Sequence, residues 1–109
     1  MLRIVAWHYK RRGVKKVRQP PPTDEWIDSV KTAFGRHVRS LREARSISQD
    51  RLALKAGMDR TFISAIERGA KLPGLISICV LAGALEVRPE TLLAFHIPPR
   101  DLVTVDPEP

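Results

Sequence analysis

Between Ser48 and Gly69 the chain sets Gln49, Arg60 and Thr61 among the apolar residues Leu52, Ala53, Ile63 and Ile66. These polar types suit recognition of an anion better than the making or breaking of bonds. Arg60 and Thr61 open a short amphipathic segment and face away from its apolar side, where they can meet a DNA duplex. Gln49 combines a two-headed amide with the unpaired backbone N–H groups of a helix start, a corner that suits a phosphate oxygen. Catalysis has no comparable set. His8, His37 and His96 are far apart, no two at a zinc-binding helical spacing, and there is no Cys-x-x-Cys, phosphate-cradling glycine loop or serine elbow. The expectation is a binding protein with no enzyme activity, metal or cofactor.

For these side chains to act together, two short helices must meet at an angle. Ser48 is a good N-cap for the first, over Gln49 to Ala56, and Gly57 can take the left-handed turn that follows. Asp59 can cap the second, over Arg60 to Arg68, while Leu52, Ile63 and Ile66 lock the angle and Ala53 permits a close crossing. Upstream, Thr23 or Asp24 can cap a longer helix running to about Ala44, with Ile27, Val30, Phe34, Val38 and Leu41 on one face. His37 and Phe62 read as packing residues. Downstream, Leu75 to Leu85 and Pro89 to Ala94 supply a fourth and a fifth helix, with Pro89 in the favoured first position. The fold class is all-α, and the core needs no strand.

The whole stretch resembles the helix-turn-helix of phage Cro and C1 repressors and of the xenobiotic-response-element regulators. The resemblance rests on the run from Ser48 to Gly69, with Leu41-Arg42-Glu43 before it, Ile66-Glu67-Arg68-Gly69 closing it, Pro73 after it and Leu81 to Val87 beyond. Arg39 to Leu93 fits that family's five-helix, lambda-repressor-like domain, about half of the chain. By resemblance, Arg60 reads guanine, Thr61 makes a polar or methyl contact, and Ala65 meets a thymine methyl. Gln49, Ser64, Arg68 and Lys71 then contact backbone phosphates, which position without reading sequence. Arg42 and Glu67 are implied to pair beneath the reading helix as a structural ion pair.

Size and charge fit this picture. The chain has 109 residues, 43% of them hydrophobic, enough for one core. A single Cys79, read as a small buried hydrophobe, offers neither disulfide nor metal set and fits a reducing cytoplasm. The longest apolar run, Leu75 to Leu85, is too short to span a bilayer, and Met1 to Tyr9 does not read as an export signal. The net charge of +7 resides in residues 1–23, which hold seven Lys/Arg and no acid. Residues 36–71 carry nine basic and four acidic side chains, and residues 72–109 two and five, so the basic side coincides with the two short helices. The expected organisation is a basic, flexible N-terminal arm over 1–23, with an extended Gln19-Pro20-Pro21-Pro22 spacer, a DNA-binding domain over 24–95 and a C-terminal tail over 96–109. Leu2 to Trp7 and Leu102 to Val105 could each form a short strand, and the two could pair.

One feature of the fourth helix points to a partner. Leu75, Ile78, Leu81, Ala82 and Leu85 make a core face, but Ile76, Val80 and Gly83 make a second apolar stripe that also asks to be covered. A homodimer would cover it, and so would the chain's own tails. A dimer would set two reading helices on the order of 34 Å apart on a palindromic operator. The functional expectation is a sequence-specific transcriptional regulator, a small repressor or restriction-modification controller. The alternatives are an antitoxin-type interaction protein with a protein partner and a nonspecific binder driven by the basic tail.

Overall fold

The computed structural model describes residues 16–18, 20–100 and 103–105. Five helices run in order: α1 (Asp24–Ala44), α2 (Gln49–Ala56), α3 (Arg60–Glu67), α4 (Leu75–Ala84) and α5 (Pro89–Leu92). Two three-residue strands, β1 (Lys16–Arg18) and β2 (Val103–Val105), flank them in sequence. Helix ends fall within two residues of those read from the sequence, a normal scatter for frayed last turns.

Residues 27–98 make one compact unit. Its core is assembled from every helix: Phe34 and Val38 of α1, Leu52 and Ala53 of α2, Ile63 and Ile66 of α3, Leu81 and Ala82 of α4, Leu85 just after it, and Leu92 of α5. Phe95 sits edge-on to Phe34, with ring centroids 5.7 Å apart. His37 is a packing residue as read, its Nε2 donating to the Thr91 carbonyl at 2.6 Å and so tying α1 to α5. Phe62 likewise packs against the core. Leu75, expected in the core face of α4, is instead 68% exposed. It is the first residue of that helix, at the rim of the packed layer, where no neighbouring element covers it.

Local chemistry explains the joints around the two short helices. Ser48 has extended backbone and its Oγ accepts from Arg51 N at 3.0 Å, so α2 starts on a true side-chain cap. Gly57 ends α2 with φ +65°, a conformation that glycine adopts without a Cβ penalty. Asp59 starts α3 differently from the expectation: its side chain makes no cap bond, and its backbone carbonyl accepts from Phe62 N and Ile63 N while the exposed carboxylate stays in water.

The second glycine that matters is Gly35, within α1. A Cβ there would overlap the Ile66 carbonyl oxygen and lie 2.8 Å from that of Glu67. The end of α3 therefore rests on bare α1 backbone, a close approach that a side chain would forbid.

The other unit comprises the described residues up to Trp26 together with those from Pro99 onward. In it β1 and β2 pair antiparallel, with Lys16 opposite Val105, Val17 opposite Thr104 and Arg18 opposite Val103. The expected strand at the C-terminal end is present, but its partner comes from the basic block. The expected strand Leu2 to Trp7 lies outside the described residues. Thr23, not Asp24, caps α1, its Oγ1 accepting from Trp26 N at 3.1 Å. The Arg100 guanidinium lies 4.6 Å from the Trp26 ring centroid, a cation–π arrangement.

Candidate nucleic-acid interface

The reading surface is built by α2 and α3, held together through Leu52, Ala53, Ile63 and Ile66. With these residues inward, the helical period turns Arg60, Thr61 and Arg68 outward, and all three are exposed, as is Lys71 beyond the helix. Ser64 is half-buried and its Oγ accepts weakly from Arg68 Nε at 3.4 Å. Arg60, the first residue of α3, has its Nε 3.2 Å from Asp50 Oδ1 on α2.

Ala65 departs from the expectation of a thymine contact. It is only 7% exposed, and where the chain returns after α3 its carbonyl accepts from Ala70 N and Lys71 N, at 2.8 and 3.3 Å.

Beneath the surface, Arg42 of α1 and Glu67 of α3 form a bidentate pair. Arg42 Nε donates to Oε2 at 2.7 Å and Nη2 to Oε1 at 3.0 Å, with side chains 12% and 3% exposed. The remaining edge of the guanidinium donates through Nη1 to the Ile47 carbonyl at 2.8 Å. The hydrogen bond to Glu67 raises the Arg42 pKa above its ordinary value, against the opposing effect of burial. Gln49 joins the same network, its Nε2 donating to Glu67 Oε1 at 3.0 Å. The amide assigned to a phosphate from the sequence is thus engaged inward. One carboxylate gathers α1, the start of α2 and the end of α3, which fixes the angle at which α3 is presented. Asp50 and Gly35 were not picked out from the sequence as part of this site. Gly35 had one visible signal, a glycine in the middle of an amphipathic run; the Asp50 contact had none.

The outer stripe of α4 forms a second surface. Ile76 is 76% and Val80 41% exposed, and among the described residues a Cβ built on Gly83 would meet nothing within 4 Å. Cys79, between them, is exposed too and not buried as expected, because it lies on the outer side of α4.

Fold and site together define a DNA-binding transcriptional regulator of the helix-turn-helix class. The chain belongs to the helix-turn-helix family HTH_3, which matches residues 38–92. It is similar to the control protein C.BamHI of Bacillus amyloliquefaciens, with 39% identity over 69 residues that cover 62% of this chain and 85% of the relative. Among solved structures it resembles the restriction-modification controller protein C.AhdI from Aeromonas hydrophila, with TM-score 0.58 and 38% identity over 59% of this chain and 97% of the other. It also resembles the controller protein C.Esp1396I, solved as a tetramer on its natural 35 base-pair operator, with TM-score 0.55 and 26% identity over 59% of this chain and 84% of that one. Among the described residues no helix is long and apolar enough to cross a membrane, and no cluster of His, Cys, Asp and Glu is arranged to hold a metal ion.

Proposed function

We propose that this chain is a restriction-modification-type controller that binds a palindromic operator as a homodimer and acts in the cytoplasm with no catalytic role. The observation that carries the reading is the exposed pair Arg60 and Thr61 at the start of an α3 whose far end is fastened through Glu67 to Arg42. A helix held at its base with its first turn in solvent is the geometry that enters a major groove. Arg60 and Thr61 read base edges, and Ser64, Arg68 and Lys71 contact phosphates. Gln49 gives one amide hydrogen to Glu67 and offers the other to the same phosphate backbone. Residues 24–95 act as the DNA-binding module, with the basic N-terminal arm adding sequence-independent attraction. Ile76, Val80 and Gly83 meet their copies in the partner subunit, which covers the apolar stripe of α4. The kinship with control proteins, C.BamHI among them, favours a controller over other small regulators.

The test is selection from random duplexes at about physiological salt, where weak nonspecific binding is suppressed. An enriched palindrome with half-sites about one helical turn apart is the expected result. Absence of any enriched motif would overturn the reading.

A further inference from the structure

The contact between Asp50 and Arg60 brings a carboxylate to the face where a polyanion is to dock, which simple charge complementarity would forbid. Asp50 is 75% and Arg60 62% exposed at the side chain, so neither group is buried for the sake of the core. Their backbones are nevertheless fixed relative to each other. Asp50 is in the first turn of α2, Arg60 is the first residue of α3, and Leu52, Ala53, Ile63 and Ile66 lock the two helices. The carboxylate approaches the guanidinium at Nε, with Oδ1 3.2 Å away. Arginine presents its donors in one rigid plane, so engagement at Nε leaves the two outer nitrogens to make a paired contact elsewhere. Guanine O6 and N7 accept such a pair.

Resting on the reading of Arg60 as a base-contacting residue, we propose that Asp50 is a positioning residue that sets sequence specificity. It pairs with Arg60 on the Nε side and so biases the guanidinium toward presenting its outer edge to guanine. It also opposes the use of Arg60 on a phosphate. To reach the backbone at an unrelated sequence, Arg60 must leave Asp50, and the released carboxylate then faces phosphate charge. One acidic side chain therefore supports the specific complex and weakens the nonspecific one.

The test measures binding of the full chain to the selected operator, to that operator with its guanines replaced, and to an unrelated duplex, each over a series of salt concentrations. The proteins are the parent, Asp50→Ala, Asp50→Asn, Arg60→Ala and the Asp50→Ala/Arg60→Ala double variant, with melting curves to verify that each is folded. Asp50→Ala is expected to reduce the ratio of operator to unrelated affinity by about tenfold, largely by tightening the unrelated complex. It should also steepen the salt dependence on unrelated DNA by up to about 0.9 in log K against log salt, one added phosphate contact. Asp50→Asn, which keeps an oxygen acceptor without the charge, should retain more of the ratio. In the Arg60→Ala background Asp50→Ala should change the ratio no further. An unchanged ratio in Asp50→Ala, or the same change with and without Arg60, overturns the role of Asp50 while a collapse of discrimination in Arg60→Ala leaves the base-reading assignment standing. Discrimination left intact by Arg60→Ala overturns that assignment and this inference with it.

Discussion

Gly35 in α1 and Gly83 in α4 lie inside helices and serve opposite ends. Either one costs its helix about 1 kcal/mol relative to alanine. At Gly35 that cost is offset within the chain, because the carbonyls of Ile66 and Glu67 occupy the space where a side chain would be. At Gly83, among the described residues beyond its own stretch of helix, nothing comes within 4 Å of that space. The seam between α1 and α3 is a finished surface, closed by backbone contact at Gly35 and by the Arg42–Glu67 pair. The outer face of α4 is apolar and, among the described residues, exposed at Ile76 and Val80, the kind of patch that marks an interaction surface. The same residue type inside a helix thus marks a packed seam in one place and, on the proposed reading, a surface for a second subunit in the other.

Removing the charge at the seam should have the largest effect. Glu67→Ala leaves Arg42 buried without its carboxylate and releases Gln49, and is expected to cost about 3 to 4 kcal/mol in urea unfolding. A loss well under 1 kcal/mol would show that the seam holds without the pair. Because the Arg42 pKa is raised by Glu67, the arginine's stabilising contribution is complete at every pH below the ordinary arginine range and is lost only as pH rises through the raised value. Titrating stability between about pH 6 and 9 should therefore show no step from this group.

Gly35→Ala comes next. Forcing a methyl against two carbonyls should cost about 2 to 3 kcal/mol and lower Tm by roughly 10 °C or more. An unchanged melting curve would break the contrast between the two glycines. On the other face, Val80→Glu should alter the stability of an isolated subunit by less than about 0.5 kcal/mol, yet weaken dimerisation at least about tenfold by light scattering across a dilution series. The smallest effect is Gly83→Ala, expected to stabilise the dilute subunit by up to about 1 kcal/mol through helix propensity alone. Destabilisation of the dilute subunit would show that the space beside Gly83 is not open.

Much of the fold was legible because it depends on neighbours in sequence. The five helices, the Ser48 cap, the left-handed turn at Gly57 and the inward Leu52, Ala53, Ile63 and Ile66 all follow from local chemistry and a 3.6-residue period. Resemblance to a known family supplied the partnership of Arg42 with Glu67, which spacing alone does not reveal. The departures have different causes. Periodicity assigns a residue to a face but does not say what covers that face. Leu75 was placed inward because the edge of the packed layer is invisible to a helical wheel, and Ala65, given a base contact by resemblance, is only 7% exposed. Asp59 was credited with a cap bond that its solvated carboxylate does not make.

By itself, then, the sequence determined which segments are helical, where they turn, and that a polar row with arginine and threonine leads the third helix, since these are matters of propensity, capping and period. Only the tertiary structure decided that Gly35 is a contact point, that Gln49 turns toward Glu67, that Arg60 lies beside Asp50, and that β2 pairs with Lys16–Arg18. The reason is physical: each of these joins groups from separate stretches of chain, at distances where tenths of an ångström decide between bond and no bond, and only packing of the core sets those distances.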